Sequence, residues 1–99
     1  MKSLVRIQPL QPTKDIMKVL KFYANWCGPC KAQTQIIKSA GDKIKMTIEE
    51  VDIDNNVFMA TNFNIRSVPT MVMVDSDEKE IKRTAGLMKE KELLEWLEV

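Results

Sequence analysis

Between Ile16 and Ala24 the chain reads IMKVLKFYA, apolar in both phases of a two-residue period except at Lys18 and Lys21. A strand with one wet face would alternate, so this run predicts a central strand covered by helices on each side. From Pro29 or Cys30 to Ala40 the period lengthens. Ala32, Ile36, Ile37 and Ala40 fall on one helical stripe, Lys31, Gln33, Gln35 and Lys38 on the other, and Gly41 is the stop. Ile44 to Asp54 alternates with Ile44, Met46 and Ile48 in one phase and Val51 and Ile53 in the other, which predicts a second, parallel strand with both faces partly buried. Asn55 or Asn56 is placed to cap a short helix reaching about Phe63, with Val57, Ala60 and Phe63 inward. Thr70 to Val74 reads as a strand entered through Pro69. The acidic DSDEKE is a hairpin turn into Glu80 to Thr84, and Gly86 breaks the chain before a helix from Lys89 to Glu98 with Leu93, Leu94 and Leu97 at core spacing. Ahead of all these, Leu4, Val5 and Ile7 make a short strand candidate cut off by Pro9 and Pro12, with a turn around Thr13 to Asp15.

An alternating α/β half followed by a hairpin and a helix predicts an α/β fold, one mixed sheet with helices on both faces, and residues 1–99 as a single domain. With 44% hydrophobic residues in 99, such a core needs no metal or disulfide staple. Fifteen basic and fourteen acidic residues leave a net charge of +1 without a Lys/Arg stripe, which argues against nucleic acid and anionic lipid as partners. The N-terminus lacks the uninterrupted apolar run of a secretion signal, and no long uncharged apolar segment follows, so a soluble cytoplasmic protein is expected. The acidic stretch DIDNNVF lacks the glycine and the bidentate glutamate of a calcium loop and reads as a solvated loop.

The chemistry concentrates in ANWCGPCKA, Ala24 to Ala32, which holds both cysteines. As a passive cross-link the pair would close too short a loop to constrain an unfolded chain, and it would not persist in a reducing cytosol. Zinc normally takes four Cys or His ligands, and a chain with two Cys and no His could supply them only by sharing the ion in a dimer. Reversible dithiol chemistry remains. Thiolates attack disulfides, and Cys27 lies just before a predicted helix, where unpaired N–H groups and the positive dipole end favour negative charge. Cys27 is therefore the expected nucleophile. Cys30, one turn in, is placed to break the mixed disulfide intramolecularly. Gly28 permits close approach, and Pro29 starts the helix at no hydrogen-bond cost.

WCGPC after an apolar strand, followed by DID, VPT and a glycine before the final helix, resembles the thioredoxin family, itself the standard example of Cys-X-X-Cys redox chemistry, over Met17 to Val99. The resemblance implies a thioredoxin fold, here with the first helix reduced or absent. It also implies reduction of protein disulfides, no tightly bound cofactor, a monomer, and electrons drawn from NADPH through a flavin-containing thioredoxin-reductase-like protein. On the same basis Trp26 flanks the dithiol, Val68 offers its backbone to an extended substrate, Pro69 is a cis-proline facing the cysteines, and Gly86 belongs to an apolar docking surface together with Gly28 and Pro29. Trp96 is assigned to packing.

Three departures stand out. The N-terminal portion is short. Gln35 replaces the proline that kinks the family's helix, so this helix should run straighter. Lys21 takes the place of the family's buried aspartate and Glu50 that of a nearby lysine, an inverted pair. Lys21 and Glu50 are expected to pair beneath Cys30, the cation favouring the Cys30 thiolate and the carboxylate, or a water it holds, taking the proton. The contrary expectation has Lys21 reaching the surface and Glu50 facing solvent. Two other functions compete. A glutaredoxin-like electron donor, for example to ribonucleotide reductase, is disfavoured by Gly-Pro between the cysteines and by the lack of paired glycines near Gly86. A non-catalytic binding subunit would use the surface around Trp26, Pro69 and Gly86.

Overall fold

The computed structural model describes residues 17–98, so the strand expected at Leu4 to Ile7 and the turn at Thr13 to Asp15 lie outside it. Strands β1 (Lys18–Tyr23), β2 (Thr47–Asp52), β3 (Thr70–Val74) and β4 (Glu80–Ala85) alternate with helices α1 (Gly28–Ala40) and α2 (Val57–Asn62), and helix α3 (Glu90–Trp96) follows. The sheet order is β2-β1-β3-β4. β1 runs parallel to β2 and antiparallel to β3, and β4 is antiparallel to β3. The doubly apolar run is thus a central strand, and the thioredoxin fold expected from the resemblance is present.

Alternation along the strands sorts the core into two layers. Val19, Met71 and Met73 pack with Leu93 of α3, with Leu97 at its C-cap, and with Ile36 and Ile37 of α1. Leu20, Phe22, Val72 and Val74 face the other way, against Met59, Phe63 and Ile65. Lys21 is in phase with Val19, and that phase directs it toward α1. Its cross-strand partners are Glu50 on β2 and Met71 on β3.

The first helix matches its expected span and runs thirteen residues without interruption. It ends at Gly41, whose φ of +50° is a conformation that favours glycine and whose N–H reaches the Ile37 carbonyl. The strand expected from Ile44 begins only at Thr47; a short 3-10 turn spans Gly41–Lys43 and residues 44–46 link it to the strand. It also stops at Asp52, whose carboxylate accepts the Asp54 N–H and the Asn55 amide and turns the chain.

Asn56 sits at the N-cap of α2, but its side chain does not cap the helix; the amide donates instead to the Asp52 carbonyl. Val57, expected inward, is 63% exposed. Met59 and Phe63, four residues apart, set the buried face, with the Phe63 ring 5.7 Å from that of Phe22, and Val57 lies two residues and about 200° away from Met59. In α3 the Glu92 carboxylate accepts the Lys89 N–H at 2.9 Å, Leu93 and Leu97 are buried, and Leu94 is only half-buried.

On β4 the Arg83 guanidinium bonds both Glu80 oxygens, at 2.6 and 2.7 Å, and donates to the Phe63 carbonyl at 2.8 Å. The hydrogen bond from Arg83 holds the Glu80 carboxyl below its ordinary value. A carboxyl depressed by folding contributes stability that is present above its unfolded value of about 4.3 and lost as pH falls through the folded value. Both groups are about one-third exposed, so solvent screening limits the contribution to about 0.5–1 kcal/mol. Glu80→Gln is expected to lower the urea midpoint slightly at pH 7 and to make no difference near pH 2.

Candidate active site

The turn leaving β1 is closed by the Cys27 N–H on the Ala24 carbonyl at 3.1 Å, which delivers Cys27 to the N-cap of α1. Pro29 occupies the first turn of that helix, where no N–H is missed. Cys27 and Cys30 are joined as a disulfide with Cα atoms 5.3 Å apart, and both are buried. The Cys30 N–H donates to Cys27 Sγ at 3.1 Å, so a free helix-terminal donor points at the first sulfur. Across the site the Val68 carbonyl oxygen lies 3.7 Å from Cys27 Sγ, and the Val68–Pro69 bond is cis. The Pro69 carbonyl accepts the Gly86 N–H at 2.8 Å, and Gly86 has a φ of +96°.

Trp26 is 69% exposed beside the dithiol, its indole N–H donating to Asp54 Oδ2 at 3.1 Å. Asp54 was not singled out on sequence, although the DID motif that includes it was. Trp26, Ile53, Ile65, Arg66 and Val68 line a shallow groove of about 130 Å³ next to the cysteines. Gly28 and Pro29 are exposed on the first turn of α1. The structure therefore gathers Trp26, Cys27, Cys30, Val68 and Pro69 at one end of the sheet, with Gly86 tied in through Pro69.

Beneath this cluster Lys21 is fully buried. Its Nζ donates to Thr34 Oγ1 at 2.6 Å and to Glu50 Oε2 at 3.3 Å, and lies 5.3 Å from the centre of the Tyr23 ring. Thr34 Oγ1 in turn donates to the Cys30 carbonyl at 3.1 Å. A buried ammonium needs such partners, because an unpaired charge in the interior costs several kcal/mol or more. Glu50 is the outer member, its side chain 45% exposed. A cleft of about 260 Å³ is lined by Tyr23, Ala24, Cys30, Lys31, Thr34 and Glu50, so it borders both the second cysteine and the glutamate. Thr34 escaped the sequence reading; its signal is the i+4 spacing from Cys30, which stacks it one turn further along the same helix face.

Gln33, expected on the exposed stripe of α1, is instead fully buried. Its amide donates to the Met88 carbonyl at 3.2 Å and accepts the Met88 N–H at 2.8 Å, so both ends of the polar group are satisfied inside the core. Trp96 is half-buried against the α1/α3 core layer, with Lys82 Nζ 5.1 Å from its ring centre. Among the described residues there is no cluster of metal-ligating side chains, and no helix is long and apolar enough to cross a membrane.

Residues 8–99 match the family model for thioredoxin. The chain is 37% identical over 70 residues to thioredoxin from Chlamydia trachomatis, covering 70% of this chain and 68% of that protein. It is 39% identical over 80 residues to thioredoxin from Mycoplasmoides gallisepticum, covering 80% and 79%. Among solved structures it is similar to the germline-specific thioredoxin Deadhead of Drosophila melanogaster, with a TM-score of 0.74 and 32% identity over 84% of this chain and 79% of that one. A thioredoxin mutant from Halobacterium salinarum superposes with the same TM-score at 26% identity, over 82% and 71%. With its cysteine pair at disulfide distance at the head of α1, this chain belongs to the thioredoxin family of thiol–disulfide oxidoreductases.

Proposed function

We propose that the protein reduces disulfides in other proteins, with Cys27 attacking and Cys30 resolving. The observation that carries this assignment is the Cys30 N–H aimed at Cys27 Sγ from the open end of α1, since a donor there stabilises charge on the sulfur that must become a thiolate. The Cys27 thiolate attacks one sulfur of the substrate disulfide, the other leaves as a thiolate and takes a proton, and a mixed disulfide forms. Cys30, losing its proton, then attacks Cys27 Sγ; the second substrate thiol departs, and the Cys27–Cys30 disulfide remains. Two electrons have passed from the protein to the substrate.

An extended substrate segment lies along the Val68 backbone in this reading, flanked by Trp26, Gly28 and Pro29 on one side and Pro69 and Gly86 on the other. Lys21 and Glu50 serve the second step. The Lys21 cation favours the Cys30 thiolate, and Glu50, which borders the same cleft, accepts the proton directly or through water. The reduced dithiol is restored from the disulfide by a flavin-containing reductase using NADPH, and the protein works as a monomer in the cytoplasm, where such a couple is kept reduced. The test is turnover of insulin disulfides, driven first by dithiothreitol and then by NADPH with a bacterial thioredoxin reductase. Multiple turnovers with both donors are expected. Insulin reduction no faster than with dithiothreitol alone would remove the catalytic reading.

A further inference from the structure

We infer that Gln33 is a positioning residue that fixes the Gly86–Met88 segment against the helix carrying the dithiol, and so sets the fit of protein substrates. The inference rests on the proposed docking role of Gly86 and its neighbours. Gln33 lies one helical turn beyond Cys30 on α1 and is fully buried. Its two hydrogen bonds engage both the N–H and the C=O of Met88, a residue 55 positions away in sequence, in the way a strand partner would. Met88 is itself nearly enclosed, whereas Leu87 beside it is 48% exposed. At the other end of the same short segment, the Gly86 N–H is held by the Pro69 carbonyl.

The segment is therefore fastened at two points, to β3 through Pro69 and to α1 through Gln33, with Leu87 presented between them. These are the elements that carry the two halves of the site: α1 bears Cys27 at its cap and Cys30 in its first turn, and Pro69 borders the Val68 carbonyl. An apolar residue at position 33 would fill space but leave the Met88 N–H and C=O inside the core without partners, and the segment would move to find water or other groups. A shift of about 1 Å in a surface that aligns a substrate is enough to change its reaction substantially. Attack by Cys27 on a small disulfide needs no such surface.

Gln33→Met, close in volume but without the amide, tests this. For insulin its KM is expected to rise about fivefold or more at nearly constant kcat, while its second-order rate toward 5,5′-dithiobis(2-nitrobenzoate) stays within about twofold of the parent. Equal loss toward both disulfides would make Gln33 an ordinary stabilising residue and overturn the inference. No change toward either would overturn it as well, and Leu87→Asp then tells which premise failed. A raised insulin KM in Leu87→Asp leaves the docking surface standing and removes the clamp; an unaltered KM removes the surface. If Gln33→Met does not fold, amide hydrogen exchange in the unaltered protein decides. The Met88 N–H is expected to be protected as strongly as the amides of α1, and exchange at the rate of an exposed loop amide would overturn the inference.

Discussion

Replacing Cys30 by serine is expected to stop turnover while leaving the first step intact, so that a one-to-one mixed disulfide between Cys27 and the substrate accumulates. The resolving thiol acts from within the same turn of helix, and the effective concentrations of well-placed intramolecular groups reach about 10⁵ M or higher. No external thiol at millimolar levels replaces it, and steady-state insulin reduction should fall at least about 10³-fold. Cys27→Ser should lose turnover as completely and yet trap nothing, because its remaining thiol lies inside the first turn of α1 and not at the cap, where the Cys30 N–H favours a thiolate on Cys27. Intact-protein mass spectrometry after mixing with oxidised substrate distinguishes the two variants. An adduct on Cys30 in the Cys27→Ser protein, and none on Cys27 in Cys30→Ser, would reverse the assigned order of attack.

Removing either member of the pair around the buried cation should have unequal effects on stability and opposite effects on the redox midpoint. Glu50→Gln leaves Lys21 buried with Thr34 Oγ1 and without its anion, and removing one partner of a buried pair is the costly change. Because Glu50 is half in water, the expected loss is about 1–3 kcal/mol rather than the full cost of a wholly buried pair. Lys21→Met replaces the charge with a flexible apolar chain of similar length in an apolar layer and returns Glu50 to solvent, which should cost less than about 1 kcal/mol or stabilise the fold. The redox couple should shift in opposite directions. Without Glu50 the cation stabilises the reduced, anionic form uncompensated and the midpoint becomes more oxidising; without Lys21 it becomes more reducing. Each shift should be about 15–30 mV, which corresponds to roughly 0.7–1.4 kcal/mol for a two-electron couple. Urea midpoints of the oxidised variants and their equilibria in a thiol buffer measure both effects, and a larger stability loss in Lys21→Met than in Glu50→Gln, or midpoint-potential shifts of the same sign, would contradict the charge assignment.

Which parts of this architecture were legible in the sequence follows from which signals are local. β1 announced itself because a run this short, apolar in both phases, fits a covered central strand better than a helix, and α1 because a helical stripe is bounded by Pro29 and Gly41. The cysteine pair, the turn that holds it and the Val68–Pro69 segment could be placed because their motifs are short and specific. Gln33 could not. A glutamine between Ala32 and Thr34 reads as solvent-facing until the chain 55 residues later supplies a backbone N–H and C=O to bond, and no periodicity carries that information. Val57 failed for a related reason: in a helix of six residues two phases are equally plausible, and the ring of Phe22 on another strand selects the one that buries Phe63. The Lys21–Glu50 contact was accessible only through the resemblance, which aligned two inverted charges on adjacent strands that the structure sets directly opposite each other.

In the proposed function the Cys27–Cys30 pair is a reducing couple used on other proteins. Its most direct test is the equilibrium of the isolated pair in a glutathione or dithiothreitol buffer at pH 7, read from the ratio of dithiol to disulfide. A midpoint at or below about −250 mV is expected, reducing enough to open substrate disulfides, with the cation of Lys21 offset by Glu50. A midpoint above about −180 mV, in the range of proteins that donate or rearrange disulfides, would contradict it.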